Sequence, residues 1–450
     1  MSSFDKVIGY RSIKRELLQI CDMIRNRTIY EKMGAHLPHG LLLYGAPGLG
    51  KSLLANCFME ECGLNTVTVR RDKGGDAFIN SIAQAFAKAK KEAPSVLFLD
   101  DMDKFANEDD SRCDTPEYVA VQAGIDDVKE TDVFVIATAN EIRKLPDSLC
   151  RSGRFDRKIR IQPPTAADAE AIIAYYLKGR RISDSVNMKD LAKMMSYHSC
   201  AELETILNEA AIRAARENRP YINQTDIRAA FIKVGIGAEK KSRVISDKEK
   251  KITAYHESGH AILFHELEDV GPVYSVSIIP TGVGAAGYTM PLPSRDEMFA
   301  TRGQMLHEIM VDFGGRIAEE LILDDITTGA SNDIQKATAT ARNMVTKYGM
   351  SASIGAINYQ QEEQDVFLGY DLGHTSRNSE YMAGEIDKEV KAIIDRCYAD
   401  ARAIIMAHED VLHASAKLLM EKEKITGEEF DALFHSDAKA DSEENRQNSL

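Results

Sequence analysis

No cysteine pair in this chain has the CxxC spacing of a zinc ribbon or a redox motif. The seven cysteines, at positions 21, 57, 62, 113, 150, 200 and 397, are odd in number and scattered. That argues against a disulfide framework and for a reducing, cytoplasmic setting, and any zinc must find other ligands. An excess of positive charge is also missing. Lys and Arg number 56 against 70 Asp and Glu, a formal net charge of −14. A general nucleic-acid binder carries a basic surface, so no nucleic-acid partner is expected. The N-terminus, MSSFDKVIGYRS, lacks the basic-then-apolar layout of a secretion signal. There is no run of about 18 apolar residues to span a membrane, so the chain reads as soluble or as the cytosolic part of a longer one. Internal repeats are absent too.

What is present is ample core material. The chain has 450 residues, 44% hydrophobic and 28% charged, enough for about three domains at roughly 150 residues each. Over residues 1–165 short apolar runs alternate with amphipathic stretches. Gly40–Tyr44, Ser95–Leu99 and Val133–Ala137 read as buried strands of a parallel sheet, with a helix predicted over Ala77–Lys91. This order predicts βαβ crossovers with helices on both faces. Residues 166–236 read as a small helical lid, 237–247 as a linker rich in Gly, Lys and Ser, and 248–435 as a mainly helical domain with an extended interruption at 272–293. The polar tail 436–450 is expected to be disordered.

The first motif is Gly45-Ala46-Pro47-Gly48-Leu49-Gly50-Lys51-Ser52, which fits G-x-x-x-x-G-K-[ST] between a predicted strand and a predicted helix. Glycines let backbone N–H groups curl around phosphate oxygens, and the helix N-terminus adds its positive dipole end. Lys51 is then expected on the outer phosphates of ATP and Ser52 on Mg2+. A strand ending at Asp100-Asp101 supplies carboxylates at its tip. Asp100 suits the magnesium shell, and Asp101 stands where an acid would polarise the attacking water. Asp103 reads better as the N-cap of the following helix. Asn140 ends another apolar run and suits a γ-phosphate or water contact. Beyond it, Arg151-Ser152-Gly153-Arg154-Phe155-Asp156-Arg157 is either a solvated basic loop or a source of arginines that reach a neighbour's γ-phosphate.

The second motif is His256-Glu257-Ser258-Gly259-His260 within a helix predicted over Asp247–Leu267. At i, i+4 both imidazoles leave one helix face and can grip zinc, with Glu257 beside them as general base for a zinc-activated water. Two histidines on an ordinary amphipathic helix are the competing reading. A catalytic zinc takes three protein ligands as a rule. Asp333, in Thr327-Thr328-Gly329-Ala330-Ser331-Asn332-Asp333, is the candidate, although spacing alone favours a first-turn acid attracted by the helix dipole. Glu319 and Glu320 either orient a ligating histidine or line a solvated helix face; individually the solvated face is the simpler reading.

The order of motifs in the first half resembles the AAA+ superfamily of ring ATPases. The whole, with HESGH, Gly314-Gly315-Arg316-Ile317-Ala318-Glu319-Glu320 and TTGASNDIQKATATARNMV, resembles the FtsH family of AAA+ zinc proteases from near residue 4 to about 435. The resemblance implies an AAA+ α/β P-loop module with its lid, followed by a helical zinc metalloprotease domain. It implies an ATP-dependent endopeptidase acting on unfolded or tagged proteins, built as a homohexamer with ATP at subunit interfaces and one Zn2+ per subunit. In that reading Asp333 is the third zinc ligand, Arg154 and Arg157 act in trans, and Asn140 is the first sensor. Three departures stand out. The family's N-terminal membrane helices are not seen here, and Asp101 replaces the usual glutamate. The segment Arg70–Ile79 lacks the aromatic–aliphatic–glycine grip of the ring pore, with Phe78 as its only aromatic, for which a core position is the better reading. Asp101 motivates an alternative in which the ATPase turns over slowly and acts as a switch, since about 1 Å of displacement can cost on the order of 10²-fold in rate. Between the zinc motifs, Pro272–Pro280 is bounded by prolines and is predicted as an edge strand to which a substrate peptide adds.

Overall fold

A computed structural model of the chain describes residues 2–35, 37–106, 115–196, 198–237, 246–281, 286–292, 299–323, 325–359 and 379–434. These form two compact units, residues 1–234 and 235–450. Most of the expected linker and all of the expected tail lie outside the described residues.

The first unit opens with helices α1 (Arg11–Arg25) and α2 (Arg27–Lys32). Then β1 (Gly40–Tyr44), α3 (Lys51–Cys62), β2 (Asn65–Val69), α4 (Gly75–Lys91), β3 (Ser95–Leu99), α5 (Pro116–Val128), β4 (Val133–Ala139) and β5 (Arg157–Arg160) alternate. The five strands are parallel in the order β2-β3-β4-β1-β5. Successive side chains of a strand point to opposite faces, and both faces here are covered. Leu41, Leu43, Phe134 and Ile136 pack with α1 and α3, whereas Leu42, Val133, Val135 and Ala137 pack with α4 and α5. That is why β1, β3 and β4 read as unbroken apolar runs. Phe78 belongs to the second of these cores. It is fully buried, edge-on to Phe105 with ring centroids 4.9 Å apart. Helices α6 (Ala166–Leu177), α7 (Met188–Met194), α8 (Cys200–Arg216) and α9 (Gln224–Ile236) complete the unit. Ser199 and Glu202 form a capping box that starts α8.

The second unit begins with α10 (Asp247–Glu266), started by a Ser246–Glu249 capping box. It continues through β6 (Val273–Ser277), β7 (Tyr288–Pro291), α11 (Arg302–Leu323), α12 (Ser331–Thr346), α13 (Glu380–Ala407), α14 (Glu409–Lys422) and β8 (Lys424–Thr426). The helices enclose one apolar core through Ile262, Ile309, Ile317, Met344 and Leu412. The small antiparallel sheet has the order β7-β6-β8. This corrects the expectation of an edge strand over 272–280. β6 is the central strand, paired on one side with Tyr288–Pro291 and on the other with Lys424–Thr426. Its flanking prolines lie outside the ladder, where their missing N–H groups do no harm. The partner β8 lies some 150 residues downstream, a contact that local patterning cannot reveal.

Interior glycines normally weaken a helix by about 1 kcal/mol each relative to alanine. Here they let α10 and α11 touch. A Cβ on Gly259 would stand 2.2 Å from the carbonyl oxygen of Gly314, and one on Gly315 would stand 2.4 Å from the His256 ring. The close crossing carries the lower half of α11 beside the two histidines. Among the described residues, no helix is long and apolar enough to cross a membrane.

Candidate functional site

In the first unit the glycine-rich loop joins β1 to α3, where the sheet order turns back on itself, the usual place for a ligand crevice in an open parallel sheet. Gly45, Gly48 and Gly50 all have positive φ. A Cβ on Gly45 would lie 2.1 Å from the Ile161 carbonyl oxygen, so only glycine passes there. Ala46, Pro47 and Leu49 complete the loop, and Leu49 is buried. From the lid, the Ala201 N–H donates to the Gly48 carbonyl. The Lys51 ammonium donates to the carbonyls of Gly45 and Ala46 and to Asn140 Oδ1, each at 2.8 Å. Burial lowers the Lys51 pKa against the pull of Asp101 and Asp103.

Asp100, at the tip of β3, is buried; its Oδ1 accepts from the hydroxyls of Ser52 (2.9 Å) and Thr138 (2.8 Å). The structure thus joins the loop serine and the strand-tip acid, the pair expected around magnesium. Asp101 takes a left-handed backbone conformation, φ 53°. Its N–H donates to Thr138 Oγ1 (2.8 Å), and its carboxylate meets Lys104 (2.8 Å) and Arg70 (3.7 Å). Arg154 is engaged within its own chain. It pairs with Asp126 (2.8 Å) and donates to the Ser148 carbonyl (2.6 Å). Arg154 and Lys129 together pull Asp126 down to about 2. Arg157, at the start of β5, is exposed.

In the second unit His256 and His260 come from adjacent turns of α10, and Asp333 from the first turn of α12. The two Nε2 atoms are 3.1 Å apart, and Asp333 Oδ2 lies 3.5 and 3.7 Å from them. Tetrahedral zinc with N and O ligands at about 2.0–2.2 Å requires ligand atoms roughly 3.3–3.6 Å apart. The observed triangle brackets that value, so this donor set fits zinc. The outward nitrogens are also held. His256 Nδ1 lies 2.8 Å from Glu319 Oε1, and His260 Nδ1 lies 2.7 Å from the Val311 carbonyl. Both partners are acceptors, which holds the proton of each neutral ring on Nδ1, so that Nε2 of each deprotonated imidazole offers its lone pair to the common point. Burial opposes charge on His256, but Asp333 and Glu319 outweigh it and raise its pKa to about 10. Burial and the neighbouring His256 push His260 down to about 4. Glu257 is buried; Thr289 on β7 donates to its Oε2 (2.7 Å), and burial nonetheless raises it to about 7.

Four supporting groups were not singled out by sequence reasoning or were read otherwise. Glu319 is fully buried rather than solvated, and its second oxygen accepts from the Thr327 N–H (2.8 Å). A carboxylate flanked by Ala318 and about one turn from a Gly-Gly pair was the available hint. Glu320, by contrast, accepts from Tyr398 and stands off the histidines. Thr138, Thr289 and the Val311 carbonyl carry no spacing signal at all, because each reaches its site from a neighbouring element.

Comparison with known proteins places both units in known families. Residues 41–163 match the ATPase family associated with various cellular activities, 185–229 the AAA+ lid domain, and 243–433 peptidase family M41. The ATP-dependent zinc metalloprotease FtsH of Caldicellulosiruptor bescii is 40% identical over 97% of this chain and 72% of its own length. FtsH 1 of Thermoanaerobacter sp. is 38% identical over 97% and 73%, and FtsH of Veillonella parvula 37% over 96% and 69%. With that extent of identity across two thirds or more of each relative, the chain belongs to the FtsH family of ATP-dependent zinc metalloproteases.

Proposed function

We propose that this chain is an ATP-dependent zinc endopeptidase that unfolds and degrades protein substrates. The observation that carries the reading is the convergence of His256, His260 and Asp333 within ligand-to-ligand distances suited to zinc, with Glu257 beside them. Zinc, when bound, supplies Lewis acidity that lowers the pKa of water towards ~7. Glu257 is the general base. The Thr289 hydroxyl fixes its orientation, and burial keeps it close to a proton-accepting poise by raising its pKa above the usual carboxylate range. Glu319 and the Val311 carbonyl hold the two imidazoles. Among the described residues β7 forms one edge of the small sheet and carries Thr289, which supports seating an extended substrate backbone along β7 rather than β6.

In the ATPase unit Gly45–Ser52 cradle the phosphates, and Lys51 gives up its carbonyl partners to the outer phosphates. Ser52 and Asp100 hold Mg2+, Asp101 polarises the attacking water, and Asn140 senses the γ-phosphate. The chain works as a homohexamer in which Arg154 and Arg157 reach a neighbouring subunit's ATP; the exposure of Arg157 supports this. The domains run 1–165, 166–236 and 248–435, joined at 237–247, with a tail at 436–450. Six free thiols among the described residues support a cytoplasmic setting.

The test is degradation of casein by the zinc-loaded chain with ATP, with a non-hydrolysable analogue and without nucleotide. Cleavage only with ATP, abolished by Glu257→Gln, is expected. Cleavage indifferent to nucleotide, or retained in Glu257→Gln, refutes the coupled mechanism.

A further inference from the structure

The two strand-tip acids of the ATPase unit depend on one hydroxyl from the next strand. Thr138 is fully buried on β4. Its Oγ1 donates to Asp100 Oδ1 and accepts from the Asp101 N–H, both at 2.8 Å. A threonine hydroxyl has one proton to give, so the donation to Asp100 commits it. The same Oδ1 takes the Ser52 hydroxyl at 2.9 Å. The cluster therefore fixes one carboxylate oxygen of Asp100 and leaves Oδ2 outside these bonds. At Asp101 the Thr138 contact anchors a backbone that a non-glycine residue adopts only at some expense, φ 53°. Where that backbone turns decides where the short aspartate side chain can reach. Two residues on, just past the end of β4, Asn140 Oδ1 accepts from Lys51. Ala137 and Ala139, on the alternate positions, face the core.

We propose that Thr138 is a positioning residue for ATP hydrolysis, its single hydroxyl coupling the magnesium-binding acid Asp100 to the water-positioning acid Asp101. A valine at this position would keep the shape and remove both bonds. The Asp101 N–H then loses its acceptor, Asp100 loses a donor, and the two functions fail together. An ordinary structural role predicts something different, a loss of folding stability with no preference for magnesium-dependent steps. The proposal rests on the roles assigned above to Asp100 and Asp101.

The experiment uses the full chain with Thr138→Val, Thr138→Ala and Thr138→Ser. A fluorescent ADP analogue is titrated in EDTA and again in magnesium, and ATPase kcat and KM are measured alongside melting curves. In Val and Ala variants nucleotide affinity in EDTA is expected within about twofold of the parent, with the gain on adding magnesium lost. Their kcat is expected to fall by about ten- to a hundredfold, the effect of stranding buried partners of one hydroxyl. KM in the absence of that gain rises only as far as magnesium affinity falls. Thr138→Ser should restore both quantities to within about threefold, since it returns the hydroxyl. The proposal is overturned if either hydroxyl-free variant melts like the parent and keeps both the magnesium gain and kcat. It is equally overturned if affinity in EDTA collapses in both. Asp100→Asn and Asp101→Asn separate the two layers. If they leave magnesium gain and kcat intact, the assignment of the acids is at fault rather than that of Thr138.

Discussion

Gly315→Ala should strip the protease centre of zinc while leaving the ATPase running. A Cβ at this position would stand 2.4 Å from Cε1 and Nε2 of His256 and 2.5 Å from Nδ1. Comfortable contact requires about 3.5 Å, so the ring must retreat by roughly 1 Å. It can only retreat away from α11, and Glu319 is on α11 one turn further along. The 2.8 Å bond from His256 Nδ1 to Glu319 therefore opens as the ring moves, and Nε2 leaves the point it shares with His260 and Asp333. Losing an outer partner of a ligating histidine weakens metal binding by about 10- to 100-fold, and displacement of the ligand itself pushes towards the upper end. Stability should change little. Overpacking costs about 1–3 kcal/mol, and alanine returns about 1 kcal/mol of helix propensity. The assay is competition for zinc against a chromophoric chelator, with ATP turnover and melting followed on the same preparation. Parental zinc affinity in Gly315→Ala would refute the idea that the Gly-Gly crossing exists to seat His256.

Zinc affinity should climb by about tenfold per pH unit around neutrality, because His256, raised to about 10 by Asp333 and Glu319, must shed one proton; calorimetry in buffers of different ionisation enthalpy should count about one proton released. The stability of chelated protein should run the other way. His256, raised from 6.5, contributes stability that is fully present below 6.5 and is lost as pH rises through about 10. Melting in EDTA should therefore decline from pH 7 to 10, and an unchanged melting temperature would contradict the assignment. Phe78→Ala should cost about 3–5 kcal/mol of folding stability in the first unit, read by chemical denaturation; an unchanged midpoint with impaired substrate uptake would return Phe78 to the pore. Arg157→Ala should abolish ATPase with melting unaltered, whereas Arg154→Ala should also lower stability, since it releases Asp126 and the Ser148 carbonyl. Equal melting of the two variants would refute the distinction.

The sequence made the central strands of the first unit legible because β1, β3 and β4 are buried on both faces and bounded by turns, whereas the half-exposed edge strands β2 and β5 gave no apolar run to read. The ends of β1 and β3 fell where the apolar runs stop. The metal helix was legible for a different reason: two ligands and the acid lie within five residues, and a capping box marks where the helix starts. Asp333 was harder, because an acid in the first turn of a helix satisfies the helix dipole whether or not it binds metal. The arrangement of β6 was hidden outright. Bounding prolines look the same beside an edge strand as beside a short central one, and the second neighbour, Lys424–Thr426, is three residues long and far along the chain. Glu319 was misjudged because helix periodicity gives a face but cannot say what covers it. α10 covers it here only because Gly259, Gly314 and Gly315 permit the approach.

The two sites share a logic that explains what a motif scan finds and what it misses. In each, most of the groups that meet the ligand sit on one short stretch of chain and appear as a pattern, Lys51 and Ser52 after the glycines and His256 to His260 on one helix, while one carboxylate, Asp100 or Asp333, joins from another element. The groups that aim them come from a neighbouring element. Thr138 reaches from β4 to Asp100 and Asp101, and Asn140, just past the end of β4, both meets Lys51 and, in the proposed function, faces the γ-phosphate. Glu319, the Val311 carbonyl and Thr289 reach from α11 and β7 to the α10 residues. Removing a motif residue deletes a ligand contact outright. Removing an aiming residue leaves the contact atom in place but lets it wander, which should show as graded losses of about 10- to 100-fold. Such losses ought to be recoverable by substitutions that restore the single bond, as serine would at position 138, and a motif residue such as Lys51 or His260 should admit no such rescue.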